Sequence, residues 1–502
     1  MFGYLVPLII DTLFSWARMF IALGLSILLG LGIGIWAATS RRAEKVIIPI
    51  VDILQTLPIL AFFPFVIYII VATIPGYIGI NSAVIFLIIT SMLWNIIFGV
   101  YESIKELPHE FLELAALYGM SLKEKLSKIY IPASMPKVMG QSTLSWAIGL
   151  FYLVTSEIFS TSNKTYTVQH GIGVALTKLA ISGNFYEYLA GIIIFIIFVV
   201  ATRLLFFAPL EKYFNRFNLP PSPKRGKKLR LPKIRLRLKV PLKHETYALE
   251  EVAVQEKGRK LNYIYLVFIA VFVLVIALNK TLLSYEASVL VALFASLLRV
   301  WFAFLIILII SVPLSVYLIF FSKRIEKFVL LFQVIASIPA TVLLPIIVIW
   351  LVGFPMHSEA VAFFVYFLSG IWYVIFSILS QRAYIANSIF EVKELFGVKG
   401  VRAWRKIYLY AVLPGLITGA VTGIAAEWNA SIVAEYFTTS AIGNGAVITS
   451  VSLGIGKLLD TSLDSGNMVL MLLALLNLTI MIILINRFVW KRLYNKVESV
   501  YK

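Results

Sequence analysis

Apolar residues run in stretches about 20 long, separated by short polar breaks, over most of this chain. Phe20–Trp36, Val46–Ile70 (interrupted by the charge of Asp52), Leu189–Phe207 (interrupted by Arg203), Tyr263–Leu278 and Met468–Ile485 are examples. Each is roughly the length a helix needs to cross a ~30 Å hydrocarbon core. The pattern predicts five spans in the first part, near Thr12–Ala38, Val46–Ala72, Ala83–Tyr101, Lys137–Phe159 and Tyr188–Phe207. Five more follow in the second part, preceded by an extra one at Leu261–Leu278.

The second five repeat the first. At an offset of 278, Ser91, Trp94 and Phe98 match Ser369, Trp372 and Phe376, and Lys128-Ile129-Tyr130 match Lys406-Ile407-Tyr408. Glu113 pairs with Glu391, Gly119 with Gly397, Pro136 with Pro414, Glu157 with Glu435 and Phe159 with Phe437. A shift of three further residues aligns Pro58, Pro64 and Arg18 with Pro339, Pro345 and Arg299. One register held through polar, aromatic and glycine positions is the mark of a duplication. Five crossings invert a chain, so the extra span restores a parallel orientation of the second unit. The fold predicted is an all-α polytopic membrane protein, with about eleven transmembrane helices in two parallel-oriented homologous halves (5 + 1 + 5). The halves are 1–210 and 281–502, joined by a basic linker, 211–260, and the orienting helix, 261–280.

Composition agrees. The chain is 60% hydrophobic and 14% charged, against about 25% charged in soluble domains, and its mean hydropathy is +0.93. A net charge of +19 raises the question of nucleic acid. Its distribution answers otherwise. From Lys212 to His244 the chain is rich in Lys and Arg, with no Asp or Glu, between apolar spans. Positive charge there marks the cytoplasmic side and suits anionic lipid headgroups, so membrane lipids rather than nucleic acid are the expected partner. The short basic segments Ser40–Lys45 and Ser322–Lys327, the linker and the tail Lys491–Lys502 are then cytoplasmic, with the N-terminus outside. The N-terminus lacks a basic n-region and a small-residue cleavage site, so no cleaved signal peptide is expected. With no cysteine, disulfides and thiolate chemistry are excluded.

Between the third and fourth spans lies Glu113-Leu-Ala115-Ala116-Leu-Tyr-Gly119, then Met120-Ser-Leu-Lys-Glu-Lys-Leu-Ser-Lys-Ile-Tyr-Ile-Pro132. This predicts a short helix, a left-handed turn at Gly119, and a second helix opened by Ser121 and Glu124 at capping-box spacing. Leu122, Leu126, Ile129 and Tyr130 form one apolar face at helical spacing. Two helices too polar to cross a bilayer make a surface elbow that offers an apolar knob to a soluble partner.

With Glu, small residues, Gly six after the Glu and Pro thirteen after the Gly, this stretch resembles the EAA loop of ABC importer permeases. The loops span about 103–135 and 381–413. In the second, Glu391 and Gly397 keep the spacing and Trp404 follows, but Lys393-Glu394 replace the small pair and Tyr410 stands where Pro132 would. The resemblance implies that the loops dock on a cytoplasmic ABC ATPase dimer, and that an extracytoplasmic binding protein delivers the substrate. Within that family the chain is most similar to permeases for nitrate, sulfonate, taurine and related anions. Gln55-Thr-Leu-Pro58…Pro64, Ile338-Pro339…Pro345 and Trp428-Asn-Ala-Ser-Ile-Val-Ala-Glu435 carry that likeness. It implies a small anion as cargo.

Ionisable residues inside spans face a bundle interior or a watery cavity. Glu157 and Glu435, at the outer ends of the fourth spans, lie near the pathway and outer gate by resemblance; reaching interfacial water is the alternative. Glu427, Trp428 and Asn429 stand mid-span where the first half has Gly149, Leu150 and Phe151. That makes Glu427 a pathway candidate, or a carboxylate satisfied by a neighbouring backbone or Lys. Pro58, Pro64, Pro339 and Pro345 are expected to kink their spans, and Gln55 and Gln333 beside them to bond across helices. Arg18 and Arg299 are expected at the outer interface with their stems in the membrane, and His170 on the outer surface beside the turn Gly171-Ile-Gly173.

No catalytic constellation, Walker-type phosphate loop or metal-ligand spacing is present, so neither enzyme activity nor a cofactor is expected. The rival readings are a secondary transporter or channel with internal repeats and a lipid-modifying membrane enzyme. The first needs charged mid-membrane residues in both halves; the second needs clustered His, Asp or Ser at one membrane face.

Overall fold

The structure is a computed structural model that describes residues 3–55, 66–161, 164–217, 279–322, 324–336, 338–351, 353–383, 400–438, 448–490 and 492–493. The first half opens on α1 (Leu5–Thr39), α2 (Arg41–Leu54), a π-helical turn at Val66–Val71 and α3 (Tyr77–Lys105). The elbow helices α4 (His109–Leu117) and α5 (Leu122–Lys125) follow, then a π-helical turn at Leu126–Tyr130 and α6 (Ile131–Ser156). Strands β1 (Ile158–Thr161) and β2 (Lys164–Thr167), α7 (Ile172–Ile181) and α8 (Phe185–Thr202) complete the half. A π-helical turn at Arg203–Phe207 then leads into α9 (Ala208–Phe214).

The second half runs α10 (Lys280–Phe321), α11 (Ile325–Ala336), α12 (Ala340–Leu351), α13 (His357–Ser380), α14 (Gly400–Ala403) and α15 (Leu409–Glu435). It closes on β3 (Tyr436–Thr438), β4 (Ile448–Ser450), α16 (Ile455–Asp464) and α17 (Met468–Ile485). Its π-helical turns, Trp404–Tyr408 and Asn486–Trp490, recur where the first half has Leu126–Tyr130 and Arg203–Phe207.

Seven helical stretches among the described residues are long and apolar enough to cross a membrane: Leu5–Thr39, Tyr77–Lys105, Phe185–Phe214, Leu282–Phe321, His357–Ser380, Leu409–Glu435 and Met468–Trp490. Small residues set their packing. Gly30 and Gly34 of α1 lie against Ile96 and Val100 of α3, where a Cβ on Gly34 would stand 2.7 Å from that of Val100. Without a hydrophobic force between helices in lipid, such close backbone approach supplies the packing. α13 lies along α15 as α3 lies along α6.

One expectation is corrected. The second-half span through Pro339 is not one kinked helix. It is two helices, α11 and α12, with a break at Ile338-Pro339 and Val342 N donating to the Pro339 carbonyl at 3.0 Å. Proline has no N–H to extend α11 and disfavours the helical conformation at Ile338. The fold is all-α, as expected, with two short hairpins beside its helices. β1 pairs antiparallel with β2 (Ile158 opposite Thr167), and β3 with β4 (Tyr436 opposite Ser450). Both hairpins are rich in aromatic and β-branched residues. Pro58, Pro64, the linker from 218 onward and the span Leu261–Leu278 lie outside the described residues.

The described parts of both halves belong to one compact unit, Met1–Asn218 with Val289–Lys502, and Leu219–Ser288 is a second unit. Within the first unit the halves meet at α12, which packs on α6 and α7. Thr341 Oγ1 donates to the Phe151 carbonyl at 3.0 Å, and Tyr188 Oη to that of Val342 at 2.5 Å.

Candidate functional site

The elbow forms as its sequence predicts. α4 ends at Gly119, whose φ is 59°. Met120 N donates to the Ala115 carbonyl at 2.9 Å and Gly119 N to that of Ala116 at 3.0 Å. These two bonds are a Schellman closure, and the left-handed residue it needs is the glycine. Ser121 then caps α5: its hydroxyl accepts from Glu124 N, and the Glu124 carboxylate accepts from Ser121 N at 2.9 Å. That backbone bond, with help from the Ser121 hydroxyl and Lys128, holds the Glu124 carboxyl below its ordinary range.

The apolar face expected on the second helix divides. Tyr130 is buried and Leu126 and Ile129 are half-buried, while Leu122 is 71% exposed and joins Leu117 (82%) and Tyr118 (81%) in an outward apolar knob. Ala115 is buried, Glu113 and Ala116 are exposed, and Pro132 opens α6. The π-helical turn joins α5 to α6 without a break. Glu391 and Gly397 lie outside the described residues, and Trp404 opens the matching π-helical turn, edge-on to Tyr408 at 6.3 Å.

At the far end of α6 and α15 the two halves build the same buried network. Glu157 Oε1 accepts from Ser15 Oγ at 2.5 Å and Arg18 Nη1 at 2.6 Å, and its Oε2 from Gly173 N at 2.7 Å. Ser15 Oγ in turn accepts from Ile172 N at 2.9 Å, and Arg18 donates to the His170 carbonyl. In the second half Glu435 Oε1 accepts from Ser296 Oγ at 2.6 Å and Arg299 Nη1 at 3.2 Å, and Oε2 from Gly456 N at 2.7 Å. Ser296 Oγ accepts from Ile455 N at 2.8 Å, and Arg299 donates to the Leu453 carbonyl at 2.5 Å. Each carboxylate therefore sits at a helix N-terminus, that of α7 or α16, where free N–H groups and the helix dipole favour negative charge. Gly171 makes room for it: a Cβ there would fall 2.5 Å from Glu157 Oε2, and one on Gly454 would collide with the Glu435 carboxylate.

Arg18 and Arg299 are thus not stems snorkelling to an interface. They are the counter-ions of Glu157 and Glu435, both 0% exposed. A full set of donors removes the need for these carboxylates to reach water. His170 is on the surface as expected, where it meets Asp11 at 3.0 Å and stacks on Phe14.

Glu427 is placed differently. It is equally buried, two turns before Glu435 on α15, and neither of its oxygens has a hydrogen-bond partner among the described residues. The neighbouring backbone or Lys that was the alternative to a pathway role is not found there. Trp428 is buried, and Asn429 donates Nδ2 to the Ala425 carbonyl at 3.0 Å while its Oδ1 has no partner. Pro339 is buried at the head of α12, Gln333 lies on α11, and Gln55 is half-buried at the end of α2. No group of three or more His, Cys, Asp or Glu among the described residues could hold a metal.

Residues 30–216 match the family described as binding-protein-dependent transport system inner membrane component. That match covers the first part of the chain, and the curated relatives it resembles are permease proteins of transport systems. Its relatives include the glycine betaine/proline betaine transport system permease protein ProW of Escherichia coli, 28% identical over 36% of this chain and 51% of that protein. The bicarbonate transport system permease protein CmpB of Synechococcus elongatus is 25% identical over 41% of this chain and 69% of its own length. The putative aliphatic sulfonates transport permease protein SsuC of Bacillus subtilis is 27% identical over 33% and 55%. This chain spans about half the length of the first of the curated relatives it matches.

Sequence reasoning missed the partners of the two buried carboxylates: Ser15, Arg18, Gly171 and Gly173, with Ser296, Arg299, Gly454 and Gly456 in the second half. The signal was there. Ser-x-x-Arg recurs at an offset of 281, and Gly-Ile-Gly at 283. Read with Glu157 and Glu435 at 278, these repeats select the three pieces that must meet.

Proposed function

We propose that this chain is the transmembrane permease subunit of an ABC importer, whose two halves together form the translocation pathway. The observation that carries the reading is the elbow: an exposed apolar knob of Leu117, Tyr118 and Leu122 on two short helices, continuous with α6 through the π-helical turn. A cytoplasmic ATPase dimer docks there and drives the helices through residues Glu113, Ala115, Ala116, Gly119 and Pro132, and through Glu391, Gly397 and Trp404 in the second half. An extracytoplasmic binding protein delivers the substrate. The membrane is the cell membrane, crossed eleven times as 5 + 1 + 5, with the N-terminus outside and the C-terminus in the cytoplasm. Domains 1–210 and 281–502 are the halves, 211–260 the basic tether and 261–280 the orienting helix.

The candidate residues of the pathway are Gln55, Pro58, Glu157, Gln333, Pro339, Glu427, Trp428, Asn429 and Glu435. The cargo is a small anion of the nitrate, sulfonate or bicarbonate kind. Support comes from this chain's relatives, among them bicarbonate, nitrate and aliphatic sulfonate permeases. The betaines named for others are zwitterions that also present a carboxylate.

Gly119→Val tests the coupling. Forcing a β-branched residue into the left-handed region costs about 1–2 kcal/mol and turns the knob away. ATPase association and transport should fall while membrane insertion is kept. Wild-type co-purification of the ATPase with this variant would remove the docking role.

A further inference from the structure

Two positions exchange size between the halves. In the first, Gly149 on α6 lies under the methyl group of Met92 on α3, which a Cβ would strike. In the second, the equivalent of Gly149 is Glu427 on α15 and the equivalent of Met92 is Gly370 on α13. A Cβ on Gly370 would stand 2.6 Å from Glu427 Oε1, 3.1 Å from its Cγ and 2.9 Å from Ile307 Cδ1. The glutamate therefore fills, from the opposite helix, the space a methionine fills in the first half.

A thioether there needs no partner, whereas a carboxylate does. Glu427 is 0% exposed, and neither oxygen is hydrogen-bonded among the described residues. Ser431, one turn further on the same face, also keeps its hydroxyl unpartnered. The charged neighbours are already engaged. Tyr366 on α13 feels Glu427 but gives its hydroxyl to Glu435 at 2.9 Å. Arg299 on α10 is held by Glu359 and Glu435. Lys457 on α16 donates to the Val451 and Ser452 carbonyls. The other titratable groups of these helices are His357 and Tyr373 on α13, Asp460 and Asp464 on α16, Tyr410 on α15 and Lys280, Tyr285, Glu286 and Tyr317 on α10, and those of the π-helical turn Trp404–Tyr408 are about five turns away along α15.

An ionised carboxylate without counter-ion or donor is the costliest occupant of such a place. A hard metal cation would need about six oxygens, and Glu427 and Ser431 offer three. A proton needs one. We propose that Glu427 is a proton-binding site, which carries the neutral carboxylic acid while α13 and α15 are closed upon it. Ionisation then requires water to pass between Glu427 and Gly370, so proton release accompanies separation of these two helices. This goes beyond the transport reading and holds whether or not an ATPase drives the chain.

Infrared spectroscopy of the full chain in lipid nanodiscs tests it. The wild type should show the C=O stretch of a protonated carboxylic acid that persists at neutral pH and is absent from Glu427→Gln. A repacked variant, Gly370→Met with Glu427→Gly, copies the first-half arrangement and should lose the same band; it serves if Glu427→Gln does not fold. A wild type with no such band at neutral pH overturns the proposal on its own. Retention of the band in either variant assigns it to another carboxyl and overturns it equally.

Discussion

Arg299 and Glu359 form a two-point ion pair, with Nε 2.5 Å from Oε2 and Nη2 2.7 Å from Oε1. The equivalent of Glu359 in the first half is Asn81, which accepts a single bond from Arg18 Nε at 2.7 Å. Arg18 thus balances one carboxylate, whereas Arg299 balances two. Glu359 is partly exposed, so solvent screens its pair. Glu359→Asn should recreate the first-half arrangement at a cost of at most about 1 kcal/mol. Thermal unfolding in detergent checks this, and a loss as large as that of Glu435→Gln would show that Arg299 depends on both acids.

The Arg18–Glu157 pair should behave oppositely when one partner is removed and when both are. Glu157→Gln leaves Arg18 buried without its counter-ion and should cost about 3–5 kcal/mol. Arg18→Met together with Glu157→Met removes both charges and should recover most of that loss. Unfolding midpoints of the single and double variants measure it. A double variant no better than the singles would mean that the bonds to Ser15 and Gly173 matter more than the charge.

The cap of α5 should be sensitive to acid. The folded Glu124 carboxyl titrates below its ordinary value, held there first by the Ser121 backbone N–H. Its contribution is therefore fully present above the ordinary carboxylate range and is lost as the pH falls through the lowered folded value. Amide-exchange protection of Leu122–Lys125, corrected for intrinsic rates, should decline through that acidic window. Glu124→Gln should abolish the pH dependence.

The proposed parallel orientation makes a definite labelling pattern in a chain that has no cysteine of its own. Cysteines placed at the exposed Tyr186 and at Ser465, beside the matching turns Gly183 and Gly466, should react from one side of the membrane. A cysteine at Lys125 should react from the other. Labelling of Tyr186→Cys and Ser465→Cys from opposite sides would refute the parallel orientation.

Local devices were legible in the sequence. The glycine turn at Gly119 and the capping box at Ser121 need residues at most five positions apart, and spacing alone reveals them. The duplication was legible because the chain holds its own comparison. The buried ion pairs were not, because Arg18 and Glu157 stand 139 positions apart and hydropathy near a span end favours a snorkelling arginine. The break at Ile338-Pro339 was read as a kink, since a proline alone does not say whether a helix bends or stops. Strands of three or four residues such as β3 and β1 are too short for alternation to register.

That separation of 139 positions, and 136 for Arg299 and Glu435, has a consequence for biosynthesis. At roughly 5–20 residues per second, Arg18 leaves the ribosome some ~7–28 s before Glu157 is made. During that interval a charged guanidinium on the first helix has no counter-ion to accompany it into lipid, and it must wait near water. The first helix therefore reaches its final depth only when the fourth arrives. The same separation recurs in the second half, so each half is expected to settle to its final depth only once its own glutamate is made.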